Sequence, residues 1–259
     1  MFKKIAAFSI GIAVLALSMP VSAQNSVTGN KDYKTKTISV DNFTGINLNG
    51  SPDVFYTQTS GKPSVEVYAS SNIIPLIETY VKDGTLIVQY KKNTSIRNSG
   101  KVEIRVSGPA LSDIRVNGSG DIHLKNGMDT RGDINVSVNG SGDIDGKSIR
   151  CNSLTVNVRG SGDIRLSGVK SKYSEVKVHG SGDIYLNGET ENADYNVHGS
   201  GDISAADLKA ENVSAYVHGS GDIKCHAVRK LSGRVNGSGD VGYKGNPEID
   251  FSKKGLHRL

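Results

Sequence analysis

The sequence predicts an all-β protein: a right-handed parallel β-solenoid with coils of about 20 residues and an N-terminal antiparallel β cap. Three observations carry this. The tetrapeptide GSGD begins at Gly118, Gly140, Gly160, Gly180, Gly199, Gly219 and Gly237, at spacings of 22, 20, 20, 19, 20 and 18 residues. A fixed period near twenty is the mark of a repeat architecture. Apolar and polar residues alternate on the approach to each turn, as in strands. The chain has 31 Gly and no Trp, and only 36% of it is hydrophobic, which suits a turn-rich β protein better than a helical one.

Within the repeat, each position has a physical role. Two residues before each GSGD stands a valine: Val116, Val138, Val158, Val178, Val197, Val217 or Val235. Four residues after its first Gly stands Ile122, Ile144, Ile164, Ile184, Ile203, Ile223 or Val241. One coil cannot bury such a face alone. Stacked coils bury it by placing Val on Val and Ile on Ile, ~4.8 Å apart. Right-handed winding is the default for parallel crossovers. Gly supplies φ > 0 and close backbone approach at the corner. The aspartates Asp121, Asp143, Asp163, Asp183, Asp202, Asp222 and Asp240 are expected to close the turn through their own nearby N–H groups.

Residues 1–23 read as a secretory leader. Lys3 and Lys4 precede the apolar run Ile5–Leu17, and Val21-Ser22-Ala23 is a small-residue cleavage signal. The mature chain then starts near Gln24, exported to the periplasm, the cell surface or the medium, with no transmembrane span. Its formal charge falls from +5 to +3 on loss of the two lysines. That modest charge, without a basic stripe, excludes nucleic acid as a partner. Residues 24–39 are expected to be a flexible segment, 40–116 the β cap and first coil, 117–250 the solenoid of about seven or eight coils, and 251–259 a tail.

An earlier copy of the repeat lies at Ile46–Tyr56, where Pro52 replaces the second Gly and Asp53 keeps its place. It reads as an atypical end coil. After it, "SVEVYA", "TLIVQY" and "KVEIRV" alternate as strands, and "SNIIPLIETYVKDG" reads as a short helix or helical turn. Gly61-Lys62-Pro63 marks a hairpin connection. Such a cap protects the open end of a solenoid from edge-to-edge association.

The blocks "FTGINLNGSPDVFYTQ" (with the triplet Gly45-Ile46-Asn47), "IIPLIETYVKDGTLIV", "GPALSDIRVNGSGDI" and "GSGDVGYKGNPEID" follow one another in order. In these the chain resembles the head GIN domain family of putative auto-transporter adhesins, also catalogued as a domain of unknown function. The resemblance runs from about Val40 to Asp250. It implies a secreted or envelope β-helical protein with an adhesin-like role, and it brings no catalytic or binding residues with it. Nothing after Asp250 reads as strands of a membrane pore.

Three features are candidates for chemistry. The carboxylates Asp163, Asp183, Asp202 and Asp222 form a periodic row that could hold Ca²⁺, but one Asp per coil supplies few of the six to eight oxygens that ion takes. His179, His198 and His218 stand just before consecutive turns, a column that could hold Zn²⁺ or Cu²⁺. The same column carries Asn117, Asn139, Arg159 and Asn236, as a tolerant surface position would. Arg131-Gly132-Asp133 spells an integrin-type tripeptide. No cofactor is indicated. Cys151 and Cys225 are about four coils apart, too far for a disulfide, and are expected as free thiols. The row is periodic, whereas a catalytic acid pair is local and asymmetric. The sequence therefore reads as a non-enzyme with a surface or envelope ligand, protein or glycan. A carbohydrate-active β-helix enzyme and a metal-dependent structural module are the alternatives. An enzyme would show itself as an irregular charged groove, first of all near Lys125–Asp133, within the longest spacing.

Overall fold

The structure, a computed structural model, describes residues 26–252 and 254–259. The expected leader, 1–23, lies outside the described residues. From Asp113 onward the chain is a stack of parallel coils, which the coil Gly45–Gln58 joins. The incoming strands Asp113–Gly118, Ile134–Gly140 and Ser153–Gly160 pair in parallel, and Ser153–Gly160 then pairs with the end of Ile164–Gly180. Val116, Val138, Val158, Val178 and Val197 face one another rung by rung. The isoleucines after the turn do the same, from Ile122 through Ile144 to Ile223. Every one of these side chains is fully buried or nearly so, worth roughly 1.5–3 kcal/mol each when taken from water. From Ile164 on, hydrogen bonding runs around most of each coil, giving the long strands Ile164–Gly180, Ile184–Gly199, Ile203–Gly219 and Ile223–Gly237.

Core volume is balanced along a column as well as within a coil. Tyr195 stands four before its turn, in the column of Val156 and Val176, and is fully buried. The next two coils offer Ala215 and Gly233 there. The large ring is followed by two small residues, so the stack stays filled.

The cap differs from the expectation in several ways. The Ile46–Tyr56 coil is not the end of the stack. Its incoming strand, Gly45–Gly50, lies between Asp113–Gly118 and Thr85–Tyr90, parallel to both. Its outgoing strand, Asp53–Gln58, lies between Ile122–Leu124 and Glu103–Gly108. The chain thus leaves the stack after Gln58, builds the cap, and returns on the other side of the coil it left. The true terminal coil has no GSGD, because a long connection replaces the tight corner between Tyr90 and Glu103. The "SNIIPLIETYVKDG" stretch is a single 3₁₀ turn, Ile74–Leu76, followed by the strand Ile77–Lys82. Pro75 and the β-branched residues after it favour extension once Ile77–Lys82 can pair antiparallel with Thr85–Tyr90. Gly61-Lys62-Pro63 does not close a hairpin: Glu103–Gly108 intervenes between Asp53–Gln58 and Ser64–Ser70.

Both ends are also more ordered than expected. Within the segment read as flexible, Tyr33–Ser39 pairs antiparallel with Ser64–Ser70, and Ser26–Thr28 pairs with Ser95–Asn98. Within the segment read as a tail, Leu256–Arg258 adds a parallel strand to Val241–Lys244. These strands are short and mostly polar, so their own pattern is faint; the exposed edge beside each supplies the pairing.

The corners explain the glycines. The first Gly of each GSGD has φ between 136° and 157°, and a Cβ there would meet the carbonyl oxygen of the preceding coil's Gly at 2.0–2.4 Å. The second Gly has no such φ, yet a Cβ on it would meet the backbone oxygen below at 2.0–2.1 Å. Gly50, whose neighbour below lacks the tight corner, would meet nothing closer than 3.7 Å. The second Gly is therefore required by the coil beneath it and not by its own turn. Gly162→Ala, whose Cβ would meet the Gly142 carbonyl oxygen at 2.0 Å, is expected to destabilise by about 2 kcal/mol or more. Gly61→Ala, with nothing within 4 Å, is expected to stay within about 0.5 kcal/mol of wild type. Parallel denaturant melts check the pair, and equal effects would refute this account of the corner.

Candidate functional site

The outward face is built of columns, each with one residue per coil. The row of aspartates is the most regular. Each Asp N–H donates to Oδ1 of the Asp one coil earlier, at 2.8–2.9 Å from Asp143 to Asp240 and 3.3 Å at Asp121, which reaches back to Asp53. The carboxylates thus tie neighbouring coils together; they do not close their own turns as expected. The carbonyl of the first Gly accepts two N–H groups, from the Ser and second Gly of the next coil, as in Ser161 and Gly162 on Gly140. The Asp N–H donors and the guanidinium of Arg165, 2.7 Å from Asp163 and 3.5 Å from Asp143, offset the repulsion within the row. At Asp53 burial pushes the carboxyl above its ordinary value, and the charge of Asp121 adds to this, against the opposing hydrogen bond from the Asp121 N–H.

The column before the turn reads Asn49, Asn117, Asn139, Arg159, His179, His198, His218 and Asn236. Asn139 donates to Asn117 (2.9 Å) and Asn117 to Asn49 (3.1 Å), forming an amide ladder. The three imidazoles stack face to face, with centroids 5.0 and 4.9 Å apart and planes within 9° and 4°. Stacking brings ring faces together and sets the nitrogens side by side. Among the described residues no group of three or more His, Cys, Asp or Glu is placed to hold a metal ion.

A second outward column, one residue past the isoleucines, reads Phe55, His123, Asp145, Arg165, Tyr185, Ser204 and Lys224. It holds two runs of contacts. His123 stacks on Phe55 at 4.8 Å and its Nδ1 meets Asp145 Oδ1. Arg165 lies over the Tyr185 ring at 4.9 Å, and the Tyr185 hydroxyl donates to Asp183 (3.0 Å). The alternation after the turn puts these side chains outside, but only the register reveals that they touch.

A profile of the family described as "Putative auto-transporter adhesin, head GIN domain" matches residues 42–174 and again 135–247. The chain belongs to this family. The two overlapping matches reflect the internal repeat of the domain. Among solved structures, a putative lipid binding protein from Parabacteroides distasonis is similar at 26% identity and a TM-score of 0.85, over 90% of this chain and 99% of that one. A putative adhesin from Bacteroides fragilis is similar at 30% identity and a TM-score of 0.71, over 90% of this chain and 100% of that one. A putative adhesin from Parabacteroides merdae, at 24% identity and a TM-score of 0.84, shares the fold over 90% of this chain and 99% of its own. No curated protein matches the chain.

In this head GIN domain the irregular stretch after the Gly118 turn does line a groove, of about 560 Å³, with Gln58, Asn126, Asp129, Arg150 and Lys170 among its walls. Its polar groups are largely engaged with one another. Asn126 exchanges hydrogen bonds with the Gln58 backbone (2.9 Å each). The Gln58 amide exchanges two with the Asp129 backbone (2.8 Å each), standing in for a missing strand rung. Arg150 binds the Asp129 carboxylate at 3.0 Å. Arg131, Gly132 and Asp133 are exposed, with Asp133 accepting from Asn152 (3.0 Å). Cys151 and Cys225 are free and buried, and burial pushes their thiols up to about 11 and about 12. Neither is a ready nucleophile.

Two predictions test the columns. Asp202→Ala leaves the Asp222 N–H without its acceptor and is expected to cost about 1–3 kcal/mol, whereas Asp202→Asn keeps an oxygen there and is expected to cost far less. Melting with and without calcium checks both, and a calcium-dependent loss would overturn the coil-tying role. At His179, burial first, then the neighbouring His198, Arg159 and Lys177, depress the imidazole below its ordinary 6.5. The folded state therefore disfavours the proton, and this contribution to stability is complete above 6.5 and lost as pH falls below it. His179→Asn, the residue of Asn139 in the same column, is expected to flatten the melting temperature between pH 7.5 and 5, and an unchanged slope would count against the stacked-column electrostatics.

Proposed function

We propose that this chain is an exported, non-catalytic β-solenoid that acts by presenting its outward columns to a ligand at the cell surface or in the envelope. The observation that carries the reading is the division of labour within each coil. The corner glycines, the aspartates and the inward Val and Ile repeat with little change. Variety of charge and hydrogen-bonding chemistry is greatest at outward positions held in fixed register: Asn, Arg and His in one column, and Phe, His, Asp, Arg, Tyr, Ser and Lys in the other. A regular frame whose polar chemistry varies on the outside is suited to recognition.

Membership of a family described by adhesion supports the same reading, as do the leader-like residues 1–23. Among the described residues no helix is long and apolar enough to cross a membrane. The groove beside Asp129 argues against catalysis. Asp129 is the one carboxylate among its lining residues and is already paired with Arg150, where a hydrolase needs two positioned acids.

The test is binding of the mature chain, from Gln24, to arrays of glycans and matrix proteins and to phospholipid vesicles, followed by export of the tagged full-length protein in its host. Retention of a surface ligand and recovery of the protein outside the cytoplasm are the expected results. Uniform absence of binding, or a purely cytoplasmic protein, would sink the proposal.

A further inference from the structure

Phe55 is out of character with its surroundings. It stands on the outward face, in a column otherwise polar or charged, and is only partly buried. His123 stacks on the ring from the next coil, and the Lys125 ammonium lies 5.6 Å from its centroid. On the opposite side the register neighbour is Arg105. Arg105 turns away, its guanidinium 2.6 Å from Glu103 and 5.4 Å from the Tyr68 ring. A groove of about 430 Å³ results, where the solenoid meets the cap, with Phe55 in its wall.

Apart from Val106, the rest of the wall is polar and electrically balanced. Glu66 and Glu103 face Arg105 and Lys125, two carboxylates against two cations. The hydroxyls of Ser64 and Ser107, 2.9 Å apart, add short donors and acceptors from two adjacent strands. Lys101, by hydrogen bond, holds the Glu103 carboxyl below its ordinary value against the effect of burial, with Arg105 acting in the same sense, so it remains an acceptor. Balanced charge gives no advantage to a polyanion. One partly exposed ring beside a valine that is only 2% exposed is too little apolar surface for an acyl chain. What fits a single ring face surrounded by hydrogen-bonding groups of both kinds is a pyranose, whose axial C–H face packs on an aromatic ring while its hydroxyls both donate and accept.

We infer that the groove between Phe55, Glu66, Glu103, Arg105 and Lys125 is a binding subsite for a neutral saccharide. This rests on the surface-recognition reading above and gives it a ligand class and a place. Phe55 is the stacking platform and His123 fixes the ring's orientation. Glu66 is the hydrogen-bonding group least committed to other partners, while the Lys125 ammonium is held at the Phe55 ring.

The experiment is a glycan array of neutral and acidic oligosaccharides, with calorimetry on the strongest neutral binder, run beside phospholipid vesicles and matrix proteins. Wild type is compared with Phe55→Leu, Phe55→Tyr, Glu66→Gln and, as a remote control, Tyr80→Ala. Expected is a neutral oligosaccharide whose affinity falls about ten-fold in Phe55→Leu. It should fall several-fold in Glu66→Gln and stay near wild type in Phe55→Tyr and Tyr80→Ala. Melting curves establish that each variant is folded; should Phe55→Leu not fold, the Glu66→Gln result decides. A neutral glycan bound equally by all variants overturns the site. Binding only to acidic glycans, vesicles or proteins overturns the saccharide inference and leaves the recognition reading standing. Binding to nothing overturns both.

Discussion

The structure depends on how closely one corner can lie on the next. At each GSGD the backbone of one coil comes so near the backbone below that a single Cβ on either glycine would sit 2.0–2.4 Å from a carbonyl oxygen. That approach allows the Gly carbonyl to accept two N–H groups from the following coil and the Asp Oδ1 to accept a third. Corner backbone groups, which otherwise must find water or side chains, are satisfied by the stack itself. The same contact sets the register, and a register shift of one residue would turn every Val and Ile outward. Core, corner and surface columns follow from it together.

The aspartate row shows how such a frame handles charge. A file of carboxylates at strand spacing is unfavourable by itself. Each but the last is held by the N–H of the next Asp, and Arg165 bridges two of them. Where the row begins, at Asp53, the carboxyl is raised by burial and by Asp121, so the cost of the arrangement is visible there. The row is therefore a structural spine whose Oδ1 atoms tie coil to coil, and the recognition chemistry falls to the columns on either side of it.

Those columns gain their character from stacking. A parallel solenoid places chemically unlike residues, twenty apart in sequence, at van der Waals distance. Three histidines become a pile of imidazoles, Phe55, His123 and Asp145 become one run of contacts, and Arg165 and Tyr185 another. The interruption at the cap matters as much as the regularity. Because the chain leaves the stack after Gln58 and comes back beneath its own first coil, the charged pair Glu103–Arg105 is set beside Phe55. A groove forms there that no single repeat contains.

The repeat period, the inward Val and Ile, the corner glycines and the family were all legible in the residues, because each repeats and each is a local requirement of a strand or a turn. The free, separated cysteines were legible for the same reason: the period converts sequence distance into height. What the chain order could not reveal was pairing between unlike segments. Tyr33–Ser39 and Leu256–Arg258 become strands only because an exposed edge is waiting for them. The Gly50 coil reads as an end yet lies inside, because Thr85–Tyr90 and Glu103–Gly108 pass beneath it. The aspartates bond to the next coil and not to their own turn, since only stacking brings that N–H within 2.8 Å. The sequence by itself determined that coils would stack and which residues would face inward. The tertiary structure decided which outward residues touch and where the stack is broken, because those contacts join positions that no local pattern relates.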